Sequence, residues 1–331
     1  MSAHGTPRPA APADADLLGG WRYRAVVWSV LLAALGYLGF ALWSGWQEVV
    51  GAVAKVGVFG LAIALLLSLV NYGLRFMRWQ WYLNAMAHPM PWWPSLKIYL
   101  AGFALTTTPG KAGEALRGVL LKRWAVPYPT SLAAFLSERL SDLQAVVILA
   151  LFGLSAYPDA QPLIAIGAAA ILLAFIVLSN KRLLTQIHQA IRGVSRPSTL
   201  LRHLLEILLQ ARRCHSAALM LGATSLSLVA WAAEALAFHL ILQWMGLDVP
   251  LAFAVFVYAV SMLAGALSFM PGGLGGAEAV MVGTLLMAGA ALPEAAAATV
   301  LIRVTTLWFA VLLGATFLNS RFARQSSYHE S

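Results

Sequence analysis

Cysteine is almost absent: Cys214 is the only one in 331 residues. That excludes a disulfide framework and a thiolate metal site, and leaves a plain buried thiol. Charge is scarce as well. Asp, Glu, Lys and Arg together make up 11% of the chain, against about 25% in soluble domains. No Walker or Rossmann loop and no metal-ligand spacing of His, Asp and Glu occurs, so neither ATP-driven pumping nor a bound cofactor is expected. Apolar residues are abundant, at 60% of the chain, and mean hydropathy is +0.77. This composition excludes a pair of soluble domains and predicts an all-α polytopic membrane protein. The net charge of +9 would suggest nucleic acid in a soluble protein. Here the basic residues cluster between apolar runs, so inner loops and anionic headgroups explain them and no nucleic-acid partner is expected.

Residues 1–20, rich in Ala, Pro and Asp, read as a disordered tail rather than a signal peptide, and 321–331 as a second, cytoplasmic tail. Apolar runs fall at about 25–43, 56–76, 92–108, 128–153, 161–179, 216–245, 251–270 and 293–318. A helix needs about 20 residues to cross the hydrocarbon core. Two runs end at breaks, Pro109-Gly110 and Pro271-Gly272-Gly273. If 92–108 and 111–123 form a hairpin entering and leaving on one side, then Arg22, Arg24, Arg75, Arg78, Lys122, Arg123, the 181–213 linker, Arg321 and Arg324 all lie on one face. The positive-inside rule makes that face cytoplasmic. The expectation is six full spans plus two re-entrant hairpins, with both termini inside. The linker carries seven Lys/Arg, and its leucines and isoleucines recur at helical spacing on either side of Pro197. It reads as an amphipathic helix pair on the inner leaflet.

The two halves, about 56–153 and 216–318, resemble each other. TTTPGKAGE ends at Glu114, and Arg139 follows 25 residues later. SFMPGGLGGAE ends at Glu278, and Arg303 again follows 25 residues later. The expected topology makes the copies enter from opposite faces, an inverted repeat of the kind found in secondary transporters. Arg139 and Arg303 each lie about ten residues into a span, roughly 15 Å deep and so near the midplane.

Charges at that depth are costly and normally face a partner or water. Asp142 sits at i+3 from Arg139, a workable pair. Glu138 shares a helix face with Asp142, so the two carboxylates would repel unless cations lie nearby. In the second copy Ile302 and Thr306 stand at the equivalent positions. Arg303 must therefore look to Glu278, Glu234 or a ligand. Guanidinium groups recognise phosphate bidentately, and a helix start after Pro271-Gly272-Gly273 would add free N–H groups. The alternative is that these pairs only staple helices together. Glu114 and Glu278 sit at helix starts, where a carboxylate also caps. Arg75, Arg78, Lys111 and Arg117 are expected at the cytoplasmic side, as headgroup collectors or as ordinary orientation charges. Most of the twelve tryptophans read as interfacial belts. His239, near Glu234, reads as a packed histidine or a proton relay.

These motifs resemble the lysylphosphatidylglycerol synthase transmembrane-region family, the flippase portion of bacterial multiple-peptide-resistance proteins. The matching residues are Arg75 and Arg78 in NYGLRFMRW; Pro109, Gly113, Glu114 and Arg117; Glu138, Arg139 and Asp142 in ERLSD; then Pro271, Gly272, Gly275, Glu278 and Arg303. The resemblance spans about 56–318 and implies a domain, here 21–320, that moves or handles a charged lipid in a bacterial inner membrane. Lysyl transfer is not expected, because no aminoacyl-transferase domain follows before Ser331. The candidate headgroup-binding residues are Arg75, Arg78, Glu114, Arg117, Glu138, Arg139, Asp142, Glu234, Glu278 and Arg303. The candidate hinges are Pro109, Gly110, Gly113, Pro271, Gly272, Gly273 and Gly275. A lipid translocase is the leading reading. A membrane-embedded transferase using Glu114 or Glu278 as general base, or a lipid-binding subunit of a partner synthase, are the alternatives. The lipid itself stays open among aminoacylated phospholipids, glycolipids, polyprenyl carriers and hopanoid-type lipids, as does self-association into a homo-oligomer.

Overall fold

The structure is a computed structural model that describes residues 28, 30, 31, 34–39, 42, 45–107, 112–153, 161–180, 182, 186, 197–268 and 270–326. The side chains of 112–116, 163, 175, 178, 179, 197–202, 271 and 319–326 are outside that description. So are the 1–20 tail, parts of the 25–43 run, Pro109, Gly110, Lys111 and most of 181–196.

The described residues are helical, without a strand. Helix α1 runs Trp46–Ala85, α2 Trp92–Ala101 and α3 Ala112–Lys122, with a 3₁₀ turn Gly102–Leu105 continuing α2. Then come α4 Tyr128–Ala150, α5 Gln161–Ser179 and α6 Pro197–Ala211. The second half comprises α7 Ala217–Trp244, α8 Leu251–Leu267, α9 Gly276–Met287, α10 Leu292–Arg303 and α11 Phe309–Ser326. A π-helical turn, Val304–Trp308, joins α10 to α11.

Local chemistry sets these boundaries. Helix α1 ends in a left-handed residue, Ala87, with His88 N–H bonded back to Leu83 O at 2.9 Å, and Pro91 then caps α2. Helix α7 ends the same way: Gly246 is left-handed, Leu247 N–H bonds Leu242 O at 2.9 Å, and Pro250 caps α8. The second boundary of each half also matches. Left-handed Ala125 precedes α4, which carries Pro129 in its first turn; left-handed Gly289 precedes α10, which carries Pro293 in its first turn.

Among the described residues, three helices are long and apolar enough to cross a membrane: Trp46–Ala85, Ala217–Trp244 and Leu292–Leu318. Shorter apolar helices lie at Ile164–Ala174, Leu251–Leu267 and Gly276–Met287. Helix α4 has 23 residues, but Glu138, Arg139 and Asp142 lower its apolarity. Outward-facing Val58, Phe59, Leu66, Leu221 and Leu312 are exposed, as a lipid-facing surface requires.

Helices in lipid associate by packing rather than by hydrophobic burial, which favours small residues at crossings. Helices α1 and α7 show this reciprocally. Gly60 of α1 makes room for the Trp244 ring of α7, and Gly222 of α7 makes room for the Trp81 ring of α1. Between them Asn71 Nδ2 donates to Ala230 O at 2.9 Å. Around this pair α4 packs on α7 while α10 packs on α1, and α8 packs on α4 while α11 packs on α2 and its 3₁₀ turn. Helix α6 lies against α4, burying Leu205, rather than resting wholly on a leaflet.

Candidate functional site

Helix α4 presents Glu138 and Asp142 one turn apart, and cations fill the space around them. Arg78 Nη1 lies 2.7 Å from Asp142 Oδ1, and Arg78 Nη2 is 4.0 Å from Glu138 Oε1. The repulsion expected between the two carboxylates is thus relieved. Arg75 Nη2 reaches Asp142 Oδ2 at 3.2 Å, and Arg139 Nη2, one turn back on α4, reaches the same oxygen at 3.0 Å. Arg78 also donates to Ser227 Oγ of α7. Glu138 takes Arg117 Nη1 at 2.8 Å.

Arg78 and Arg117 are not surface charges. Both are fully buried. The Arg117 guanidinium lies 4.6 Å from the Tyr99 ring centre and 5.1 Å from that of Trp79. Stacking on aromatic faces suits a weakly hydrated guanidinium. Trp79 is accordingly a core residue bonded to Ser95 Oγ, not a belt residue, whereas Trp92 and Trp93 are exposed.

The second half builds a simpler pair. Arg303 Nε lies 2.7 Å from Glu278 Oε1, and Arg303 Nη2 donates to Gly272 O at 2.8 Å. The other oxygen, Glu278 Oε2, accepts from Gly275 N–H at 2.7 Å and so caps α9. Gly272 and Gly275 hold φ of +64° and +85°, a region that side chains disfavour. A methyl on Gly272 would sit 3.5 Å from Thr107, which ends the described part of the first half's turn, and 3.5 Å from Leu307. Gly272 therefore lies against Thr107 of the first half. Pro271 and Gly273 shape the same turn. Gly113 and Glu114 lie in α3, but the Glu114 side chain is outside the described residues.

Both clusters open onto one cavity of about 590 Å³. Arg75, Arg139 and Arg303 line it together with Asp142 and Glu234. Arg139 is the most accessible of these, its side chain 24% exposed. Arg78, Arg117 and Glu138 lie behind the wall and hold it in place. Most of the remaining lining is apolar, and the lining residues Leu267 and Met270 are exposed, which gives the cavity an apolar edge. Glu234 Oε2 accepts from Tyr258 OH at 2.6 Å, so its partner is a tyrosine rather than His239.

Sequence reasoning passed over three contributors. Trp231 Nε1 donates to Asp142 Oδ1 at 3.1 Å, and its ring lies beneath Arg75. Tyr258 orients Glu234. Tyr72 OH reaches Thr306 O in the π-helical turn at 2.5 Å. The available signal was helical spacing: Trp231 precedes Glu234 by three residues, and Tyr72 precedes Arg75 by three.

An all-helical membrane domain with arginines and carboxylates gathered around an internal cavity is the class these features define. The comparison with known proteins agrees. Residues 26–314 match the lysylphosphatidylglycerol synthase TM region family, and the chain belongs to that family. It is similar to a UPF0104 membrane protein from Methanothermobacter thermautotrophicus, 25% identical over 307 residues, covering 86% of this chain and 90% of that protein.

Proposed function

We propose that this chain is a lipid translocase of the inner membrane, built as an inverted repeat, with the arginine-lined cavity as its headgroup site. The cavity carries the reading: three guanidinium groups line a largely apolar space inside a membrane domain. Arginine there suits a phosphate group, and the apolar edge at Leu267 and Met270 suits a chain that stays in hydrocarbon.

Several matched features support the repeat. Helix ends, caps and first-turn prolines recur at α1/α7, α2/α8 and α4/α10. The contacts of α4 on α7 and α8 mirror those of α10 on α1 and of α11 on α2. Reciprocal Gly60–Trp244 and Gly222–Trp81 contacts fit two like helices crossing about a two-fold axis. In this reading α2/α3 and α8/α9 are re-entrant hairpins from opposite faces, and both termini are cytoplasmic.

The test is reconstitution of the purified chain in vesicles holding a panel of headgroup-labelled lipids. Labelled lipid with an anionic headgroup should become fully accessible to an impermeant quencher. Access stopping at the outer leaflet for every lipid would contradict the proposal.

A further inference from the structure

Glu234 stands apart from the other acids of the site. Asp142 is held by three arginines, Glu138 by Arg117 and Glu278 by Arg303. Glu234 is buried at 5% exposure and lines the cavity, yet makes no ion pair among the described residues. Its hydrogen bond there is the one from Tyr258. Around the same cavity stand Tyr72 and Arg75 from α1, Arg139 and Asp142 from α4, Tyr258 from α8 and Arg303 from α10. His239, on the same helix, does not line the cavity.

The charge balance gives this carboxylate a consequence. When no anion is bound, an ionised Glu234 offsets the arginines: Arg75, Arg78, Arg117, Arg139 and Arg303 face Glu138, Asp142, Glu234 and Glu278. An anionic headgroup that engages Arg139 and Arg303 takes over that role. Glu234 then faces a second negative charge in a low-dielectric space, where like charges interact strongly. Adding a proton to Glu234 removes the repulsion. By reciprocity, whatever the anion does for the proton, the proton does for the anion.

We infer that Glu234 is a proton-binding site linked to the cavity, so that an anionic headgroup and a proton bind together. The inference rests on the cavity being the headgroup site. The proton comes from solvent and adds to the carboxylate, while Tyr258 continues to donate to Oε2. No other bond forms or breaks. Movement of headgroup and proton together would tie lipid translocation to the proton gradient.

The experiment is calorimetric titration of the full chain in detergent with a short-chain, water-soluble phosphatidylglycerol. This phosphodiester does not itself titrate near neutral pH. Measurements in buffers of different ionisation enthalpy give protons taken up per headgroup bound. Wild type should take up about one proton, and its apparent Kd should weaken by up to about tenfold per pH unit as pH rises. Glu234→Gln, which keeps an acceptor for Tyr258, should bind with no proton uptake and with a Kd that is flat with pH. Tyr258→Phe should keep the uptake. Binding without uptake in wild type, or equal uptake in Glu234→Gln, overturns the linkage and leaves the headgroup site standing. Absence of binding by folded wild type overturns both.

Discussion

Glu278 serves two partners at once: one oxygen meets Arg303 Nε at 2.7 Å, and the other caps α9 through Gly275 N–H at 2.7 Å. Capping and charge pairing are the two ends of one carboxylate. The pair ties α10 to the turn whose Gly272 touches Thr107 of the opposite half.

Glu278→Gln keeps an oxygen for the cap but leaves Arg303 buried without its counter-ion. Removing one partner of a buried pair costs about 3–5 kcal/mol. Denaturant unfolding in detergent should show that loss, and Glu278→Gln combined with Arg303→Met should recover most of it, because two neutral groups need no pairing. Lipid movement should be absent from both variants. Recovery of stability without recovery of movement separates a headgroup role for Arg303 from a staple.

Arg139 offers a cleaner functional probe. Its side chain lines the cavity and is 24% exposed, and Asp142 retains Arg75 and Arg78 without it. Arg139→Ala should change unfolding by less than about 1 kcal/mol, the scale of an accessible pair. A lost charge-assisted contact is worth about 1.5–3 kcal/mol. Headgroup affinity should therefore fall about tenfold to a hundredfold, as measured by calorimetry.

Asp142→Asn acts oppositely. It strips the shared counter-ion from Arg75, Arg78 and Arg139 while Arg78 stays fully buried. The loss should exceed about 4 kcal/mol, the exceptional range for one substitution. A monodisperse, thermally stable Asp142→Asn protein would remove Asp142 from the centre of the fold.

Gly314 of α11 sits against the backbone of Phe103 and Ala104, closer than a methyl group can fit. Backbone cannot rotate away as a side chain can. Gly314→Ala should cost at least about 1–3 kcal/mol by overpacking, read as a lowered Tm. It should not alter proton uptake per bound headgroup.

The sidedness proposed for the first hairpin is open to labelling. In a Cys214→Ser background, a cysteine at exposed Lys122 should react with an impermeant thiol reagent only from the cytoplasmic side. Labelling from the outside would invert the topology.

Much of the site was legible because ionisable groups in an apolar background are costly and hence conspicuous. The Arg139–Asp142 pair followed from helical spacing, and Glu278 stood beside Glu234 and a ligand among the partners left to Arg303 by Ile302 and Thr306. Sequence periodicity carries no information on depth beyond one helix. Arg78 and Arg117 therefore looked like surface charges, although aromatic rings and Glu138 from other helices bury them. Trp231 and Tyr258 were missed for a related reason. An aromatic residue in a span is ordinary until a carboxylate from another element meets its polar atom. The α8/α9 break was visible as glycines, whereas its contact with Thr107 depends on how the halves dock.

The most direct measurement compares initial rates of leaflet equilibration in matched vesicles containing wild type, Arg139→Ala or the Glu278→Gln, Arg303→Met pair. A lipid with an anionic phosphodiester headgroup is followed with an impermeant quencher, and each protein is first shown to be folded by its unfolding transition. Wild type should equilibrate the lipid between leaflets, and both variants should fall to the rate of protein-free vesicles or close to it. Equal rates in all three folded proteins would contradict a headgroup role for the cavity arginines.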